Sequence, residues 1–447
     1  MIIRFSKKNL RNFAIAFFLF LICLGVISIV FFYKTLFSPP KTRLKLDKFY
    51  PEIPPDSRYH YIVLPIDHNH PERGQFKSFY IFSPSYKVGS CPIFVLTDGQ
   101  MNLVGMKPDF DFFEGRLKGQ SYVLFSTRGQ FPTSFPEVYN ENGSLKIEEA
   151  VKLLDSDQQI EDIEAVRCQM LKEGKLPKDG KIMIFGASGA GILAQQYIEK
   201  YGKYVSRAFL EVTGAPDISV KSGANYSRDL NDFSPELQEL FAKAIQSGKY
   251  DPAYLSYLFY QISRNSKSSI SDQVSFFKKI LDGSSWEYYS WLIKPSYNLG
   301  LVQAFFSIPS GASGKVRWFE LVGNDLKQSP EPAKKADNLM NIFSHALFTD
   351  FLEKEKLGQI KIKTFNFNRE NYEGETFILA GERDIVFSPK IAQAMFKLYK
   401  KCKLILLDDG HRMVNHTDYL IQLRTAFFNY GLDSKEFLEI CEKNKKS

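Results

Sequence analysis

Residues 182–197 read IMIFGASGAGILAQQY: an apolar run, a turn of very small residues around Ser188, and then a helical pattern. Gly186 and Ala190 stand two residues before and two after Ser188. Small side chains are needed there when a serine is held on a sharp strand-to-helix turn, because larger ones would clash. The N–H groups and dipole at the start of the helix would favour a developing oxyanion. The stretch therefore predicts a nucleophilic serine at the end of a strand.

The same pattern has two other interpretations. A glycine-rich turn from strand to helix is also a place where a phosphate group binds. A dinucleotide site is the weaker alternative, because glycines at 186, 189 and 191 lack the Gly-x-Gly-x-x-Gly spacing. Segments further along the chain bear on this choice.

Two later segments supply the partners that a serine nucleophile needs. Residues 376–389 (TFILAGERDIVFSP) read as a strand, a glycine turn and Asp384, and residues 404–413 (LILLDDGHRM) read as the next strand followed by His411. Serine, acid and histidine in this order, with the acid and the histidine each on a loop after a strand, are typical of an α/β-hydrolase triad. Asp384 would orient His411, and His411 would accept the Ser188 proton and return it to the leaving group.

The remaining parts of the predicted site are less sharply marked. His416 is the reserve base and Glu382 the reserve acid. An oxyanion hole needs the N–H of Gly189 and a second donor from the loop after the third strand. The backbone from Gly99 to Gln100 is the predicted second donor.

Around these motifs the chain alternates short β-branched or aromatic runs with longer helical patterns. The predicted strands are residues 61–65, 77–83, 92–97, 121–126, 181–185, 207–212, 376–380 and 403–407. The predicted helices are residues 147–173, 188–201, 389–400 and 417–430. Two short strands followed by β-α alternation predict an α/β fold, in which a mostly parallel eight-stranded sheet has helices on both faces.

The alternation stops for about 160 residues before the seventh strand, where the sequence becomes helical and aromatic, and this predicts a helical cap insertion. The predicted division of the chain is a basic tail 1–12, a transmembrane helix 13–33, a linker 34–57, an α/β-hydrolase core 58–214 and 372–432, a cap 215–371 and a charged tail 433–447. All three tryptophans, Trp286, Trp291 and Trp318, lie in the cap. Trp286 and Trp318 are candidates for gripping an apolar part of a ligand, unless they fill the core of the cap itself.

The N-terminal region has the features of a membrane anchor. Residues 13–33 carry no charge and would span roughly 31 Å as a helix. A cleavable signal peptide has a shorter apolar region and a small-x-small site, which residues 34–40 do not offer. Four basic residues before the run and five after it nearly balance. We favour an N-terminus inside and a catalytic part on the non-cytoplasmic side, periplasmic or extracellular.

Composition excludes several other classes of protein. The 447 residues are 44% hydrophobic and 24% charged, which allows a sizeable core and excludes disorder. The net charge of +8 arises in residues 1–48, with nine basic residues and one acidic, leaving 49 of each in the body. A neutral body removes the main argument for nucleic-acid binding.

Cysteine spacing fits no metal site, and no cofactor is expected. Cys23 lies in the apolar run. The other cysteines would form two disulfides or stay as four thiols, and they are Cys91, Cys168, Cys402 and Cys441.

Beyond the triad segments, the chain resembles the proline iminopeptidase and tripeptidyl aminopeptidase branch of the α/β-hydrolases. The resemblance is carried by LPIDH at 64–68 with PERG at 71–74, STRGQ at 126–130, and SDQ at 156–158 with EDIEAVR at 161–167. It extends over residues 58–428, with little from the insertion. It implies a cap-domain serine exopeptidase that releases residues from the free N-terminus of a peptide.

The chain departs from that family at three places. The His-Gly-Gly-Pro-Gly loop that supplies the oxyanion donor reads DGQMN at 98–102. The usual aromatic residue after the nucleophile is Gly189, and the usual aspartate before the Arg-Gly pair is Ser126 or Thr127. These departures leave the expected fold unchanged and weaken the prediction of the substrate.

An aminopeptidase also needs a buried carboxylate to pair the ammonium group of its substrate. Glu287 and Glu320 are the two candidates. Arg317 facing the pocket would bind a carboxylate instead and favour a carboxypeptidase. Two further alternatives stay open: an esterase or lipase whose insertion is a lid, and a catalytically silent binding protein, which the altered oxyanion loop would permit.

Overall fold

A computed structural model of the chain describes residues 15, 17–28, 56–100, 103–105, 108–130, 135–265, 267, 269–283 and 311–443. Eight strands form one sheet in the order β1-β2-β4-β3-β5-β6-β7-β8. The strands are β1 Tyr59–Pro65, β2 Gln75–Phe82, β3 Ile93–Val95, β4 Tyr122–Phe125, β5 Ile182–Ala187, β6 Val205–Glu211, β7 Glu375–Gly381 and β8 Cys402–Leu407. The two pairs that involve β2 are antiparallel and the others are parallel. The predicted mostly parallel sheet is confirmed.

Helices cover both faces of the sheet and make up most of the described part of the segment between β6 and β7. In chain order they are α1 Phe110–Leu117, α2 Ile147–Leu154, α3 Ser156–Lys172, α4 Gly189–Tyr201, α5 Pro216–Ser222, α6 Leu230–Phe233, α7 Pro235–Gln246, α8 Pro252–Asn265, α9 Ile270–Leu281, α10 Ala312–Gln328, α11 Pro332–Lys335, α12 Leu339–Leu347, α13 Thr349–Lys356, α14 Pro389–Phe396, α15 Thr417–Tyr430 and α16 Lys435–Lys443. Short 3-10 turns stand at Pro71–Arg73, Pro136–Val138, Gly202–Tyr204 and Arg369–Asn371.

Two hydrophobic clusters lie on the two faces of the sheet. One contains apolar residues of α3, α4 and α14 and continues without a break into the helices between β6 and β7. The other contains apolar residues of α1, α15 and α16. Apolar side chains of the inserted helices therefore share a core with one face of the sheet.

The helix predicted over residues 147–173 is two helices. Asp155 interrupts it in extended backbone, and its carboxylate accepts a hydrogen bond of 2.9 Å from the N–H of Gln158, which caps the start of α3. Capping aspartates favour a helix start over a helix interior, and this is the physical reason for the break.

Arg128 joins the segments on which the family resemblance rests. Its guanidinium, buried after β4, donates to both oxygens of Asp162 at 2.7 and 2.6 Å. It also donates to the carbonyls of Ile66 at 3.0 Å and Leu153 at 2.8 Å. A buried arginine needs this many acceptors, so these residues hold the loops after β1 and β4 against α2 and α3.

Much of the N-terminal prediction falls on residues that the structure does not describe. Residues 15 and 17–28 of the predicted span 13–33 are helical. Searched over the described residues, the chain shows no helix with the length and hydropathy needed to cross a membrane. The basic tail 1–12 and nearly all of the linker 34–57 lie outside the described residues. Cys91, Cys168, Cys402 and Cys441 form no disulfide in the described part of the chain, which is the thiol alternative of the two that the sequence left open.

Candidate active site

Ser188 stands on a strained turn between β5 and α4. Its φ of 56° and ψ of −129° are unusual for a residue with a side chain. The turn is held from below, where the Ser188 N–H donates to the Glu211 carbonyl at 2.9 Å. A Cβ at Gly186 would lie 2.5 Å from the Ala190 carbonyl oxygen, so only glycine fits two residues before the serine. The strained turn therefore places Ser188 at the junction of β5 and α4 with its side chain partly accessible.

His411 connects Ser188 to Asp384. Its Nε2 lies 3.0 Å from the Ser188 Oγ, and its Nδ1 lies 2.9 Å from Asp384 Oδ2. Asp384 is 1% exposed and His411 4% exposed, whereas Ser188 is partly accessible. The three residues singled out by chain order thus meet in one hydrogen-bonded line at the carboxyl ends of β5, β7 and β8.

The loops that carry the acid and the base are themselves held by carboxylates. Asp384 Oδ1 accepts the N–H groups of Val386 at 2.7 Å and Phe387 at 3.3 Å, leaving Oδ2 for His411. The fully buried Asp409 accepts the N–H groups of Gly410 at 2.7 Å and Asn415 at 2.8 Å. These hydrogen bonds fix the positions of the Asp384 and His411 side chains relative to Ser188.

The surroundings of His411 favour its neutral form. Burial is the largest cause that lowers its pKa below the usual 6.5, and the nearby charge of Asp384 opposes that shift. Two cations, Arg264 on α8 and Arg412 beside the histidine, lower the pKa further. A neutral imidazole at neutral pH is the form that accepts a proton from serine.

Two side chains occupy the space beside Gly189, where the sequence predicts the oxyanion hole. Asp98 Oδ1 accepts the Gln100 backbone N–H at 3.3 Å, and Asp98 Oδ2 accepts the Gln100 side-chain Nε2 at 2.7 Å. A Cβ at Gly189 would lie 1.9 Å from Asp98 Oδ2 and 2.3 Å from Gln100 Nε2. The Asp98 and Gln100 side chains therefore fill the space that a larger residue after the serine would occupy.

Arg317 on α10 reaches the elbow from the insertion. It is fully buried and donates to Gln196 at 3.1 Å, to Glu320 at 3.0 Å and to the Gly189 carbonyl at 3.3 Å. Its Nε lies 3.7 Å from Asp98 Oδ2. In the described part of the chain the arginine is thus 0% exposed and bonded to other protein groups beneath the elbow, and does not face a pocket as the carboxypeptidase alternative requires.

Glu320 and Trp318 have internal roles. The other oxygen of Glu320 accepts the N–H and the hydroxyl of Ser156, both at 3.0 Å, and lies 4.0 Å from the Lys363 Nζ, so this glutamate is buried and already paired within the protein. Trp318 packs against Phe343 and Phe348 among the inserted helices, at ring-centre distances of 5.5 and 6.4 Å.

The other candidates give no competing triad. Trp286, Trp291 and Glu287 lie outside the described residues. The reserve acid Glu382 is exposed, and the reserve base His416 stands at the start of α15. The described residues also contain no group of three or more His, Cys, Asp or Glu side chains suited to hold a metal ion.

Strand order and the placement of the three residues decide the architecture. An eight-stranded sheet with β2 antiparallel carries a serine elbow after β5, an acid after β7 and a histidine after β8. The chain has the α/β-hydrolase fold. The peptidase branch that it resembles in sequence is a finer question, which the fold does not answer.

Comparisons with known proteins give only distant similarity. No protein-family model and no curated protein matches the sequence. Among solved structures, an esterase from Exiguobacterium antarcticum is 15% identical, covers 79% of this chain and 96% of its own, and has a TM-score of 0.37. MGS-M2, an α/β hydrolase from a Medee basin deep-sea metagenome library, is 14% identical over 80% and 97%, with a TM-score of 0.38. Such values are too low to support an argument about activity.

Sequence reasoning missed Asp98 as a part of the site, and it gave Arg317 a different role, that of binding a substrate carboxylate. The signal available was the pair of departures, DGQMN in place of the glycine-rich loop and Gly189 in place of an aromatic residue. The structure shows that the two departures fit one another. The part played by Arg317 required knowing how α10 packs against the elbow.

Proposed function

We propose that this protein is a serine hydrolase that works through an acyl-enzyme on Ser188. The observation that carries the proposal is the unbroken line of hydrogen bonds from the Ser188 Oγ through His411 to Asp384, with distances of 3.0 and 2.9 Å. Burial of the acid and the base adds support, because it keeps water from competing for those hydrogen bonds.

The chemistry follows from these three side chains. His411 Nε2 accepts the Ser188 proton as the Oγ attacks a carbonyl carbon, while Asp384 accepts the Nδ1–H and stabilises the imidazolium. The imidazolium then gives the proton to the leaving group, and the acyl group stays on Ser188. Water, deprotonated by His411, attacks the ester and releases the acid.

Peptides with a free N-terminus are the substrates we propose. The support is the sequence resemblance of residues 58–428 to aminopeptidases of this fold and the convergence of its segments on Arg128. The hydrogen bonds to Glu320 leave Glu287 as the proposed partner of the substrate ammonium group.

Ester hydrolysis is the second candidate, and the charge near the base favours it. Arg264 and Arg412 both act electrostatically on His411. Positive charge beside the triad opposes the approach of an ammonium group and favours a neutral or anionic acyl group.

One experiment separates the two. The purified full-length chain in mild detergent is incubated with matched free and N-acetylated peptides and with p-nitrophenyl butyrate, alongside Ser188→Ala. Trimming of free peptides alone, lost in the variant, establishes an aminopeptidase. Hydrolysis of the ester with neither peptide set cleaved establishes an esterase. No hydrolysis of any substrate by the wild-type chain contradicts both.

We also propose that residues 13–33 anchor the hydrolase in a membrane, with the catalytic part on the non-cytoplasmic side. The uncharged length of 21 residues supports the anchor. In alkaline carbonate the full-length chain is expected to stay with the membranes, and a protease added to intact cells or spheroplasts is expected to cleave it. Release by carbonate contradicts the anchor, and protection from the protease contradicts the orientation.

A further inference from the structure

In the loop after β3, the Gln100 backbone N–H is engaged in a hydrogen bond within the loop itself. An oxyanion hole of this fold ordinarily takes its second donor from a backbone N–H of that loop. Here the Gln100 N–H donates to Asp98 Oδ1 at 3.3 Å. The neighbouring Gly99 carbonyl is also held, because it accepts from Gln130 Nε2 at 2.6 Å. A loop tied at both residues is not arranged to turn this N–H toward a substrate.

The Gln100 side chain offers a donor in the same place. Its Nε2 donates to Asp98 Oδ2 at 2.7 Å, and the carboxylate sets the orientation of the amide, since the reverse would bring two acceptors together. An amide nitrogen carries two hydrogens, and within the described ranges no acceptor is bonded to the second. Nε2 lies 2.3 Å from where a Gly189 Cβ would stand. It is therefore within about 4 Å of the Gly189 Cα, beside the first oxyanion donor.

We propose, on the basis of the proposed hydrolase function, that the side-chain amide of Gln100 is the second oxyanion donor. Asparagine and glutamine amides are suited to this task, because a pre-oriented N–H stabilises the charge as it develops on the carbonyl oxygen. Asp98 is then a positioning residue that holds the amide. Gly189 is required because any side chain there would displace it.

Arg317 supplies the positive charge that offsets the Asp98 carboxylate. A carboxylate next to an oxyanion would oppose the reaction unless its charge were offset. Among the residues that the structure describes, the Arg317 Nε has no hydrogen-bond partner; it is buried and lies 3.7 Å from Asp98 Oδ2. Its guanidinium therefore offsets the charge of the carboxylate, and α10 couples the insertion to the proposed oxyanion hole.

The test compares Gln100→Ala with wild type on p-nitrophenyl butyrate and on a trifluoromethyl ketone, which binds as a charged hemiketal on serine. We expect kcat and the affinity for the ketone both to fall about 10²-fold or more, with KM nearly unchanged. Gln359→Ala, the same change at an exposed turn, is the matched control and should match wild type. Equal melting temperatures show that the variants are folded.

Two further variants test the positioning role of Asp98. Asp98→Ala should lower kcat nearly as much as Gln100→Ala, because the Gln100 side-chain amide then has no carboxylate to orient it. Asp98→Asn retains an oxygen acceptor and should recover most of the activity. An active wild type whose kcat survives Gln100→Ala overturns the assignment of Gln100 alone and returns the role to the backbone. A wild type that neither hydrolyses the ester nor binds the ketone overturns the assignment together with the hydrolase function.

Discussion

The two sides of Ser188 are built in different ways. On the base side, His411 and Asp384 stand on loops that directly follow β8 and β7, and each makes the hydrogen bond that its chemistry requires. On the side of the proposed oxyanion hole, Asp98 and Gln100 depend on one another, on the bare Gly189 and on Arg317, which lies on a helix of the insertion 128 residues after Gly189. The base side is thus local to the sheet, and the oxyanion side depends on the insertion.

The largest expected effects come from breaking the base side. Ser188→Ala should remove the acyl-enzyme route and lower kcat by about 10⁶-fold. Asp384→Asn should lower it by about 10⁴-fold, because the amide stabilises the wrong tautomer of His411. A stopped assay of ester hydrolysis at neutral pH measures kcat for both variants. A variant at Glu382, the exposed reserve acid, should keep its activity, and a loss there instead of at Asp384 would reassign the acid.

Removing Arg317 should damage the oxyanion side by destabilising the fold. Arg317→Met leaves Glu320 and Asp98 buried without their cation, which should cost about 3–5 kcal/mol in the free energy of unfolding. Lys327→Met, on the same helix but with an exposed ion pair to Glu355, should cost less than about 1 kcal/mol. Urea denaturation measures both variants, and equal costs would show that the buried network contributes nothing special.

Gly189→Ala should disturb the oxyanion side while leaving the fold intact. The three atoms nearest to the new Cβ belong to the Asp98 and Gln100 side chains and not to the backbone, at 1.9, 2.3 and 3.0 Å, so the side chains rather than the main chain have to shift. We expect kcat to fall about 10²-fold with little change in melting temperature. Combined with Gln100→Ala, the loss should not grow, because both changes remove the same donor. Additive losses in the double variant would separate the two residues.

The sequence predicts the base side of Ser188 better than the side of the proposed oxyanion hole. The strands, the elbow and the order of Ser188, Asp384 and His411 depend on short-range patterns, and the structure brings these residues together. The break at Asp155 was not predicted, because its capping role outweighed the helical spacing around it. Arg317 and Glu320 could not be placed from sequence, because their partners Gln196 and Ser156 come from distant helices.

The smallest expected effect concerns the pH dependence of the base side. Burial and two arginines keep the pKa of His411 below its usual value. Since the neutral imidazole is active, kcat/KM should rise with pH through a midpoint below 6.5 and stay level at neutral pH. Arg264→Met removes one of the cations and should move that midpoint upward by a fraction of a pH unit. A midpoint that moves downward or stays in place would contradict the electrostatic role of Arg264.

Trapping the acyl-enzyme tests the central claim most directly. The full-length chain is mixed with p-nitrophenyl acetate, quenched in acid within one turnover and digested for mass spectrometry. We expect a burst of nitrophenol and a single acetyl group on the peptide that carries Ser188, both absent from Ser188→Ala. An acetyl group on another residue, or an equal burst from the variant, would contradict the assignment of Ser188 as the nucleophile.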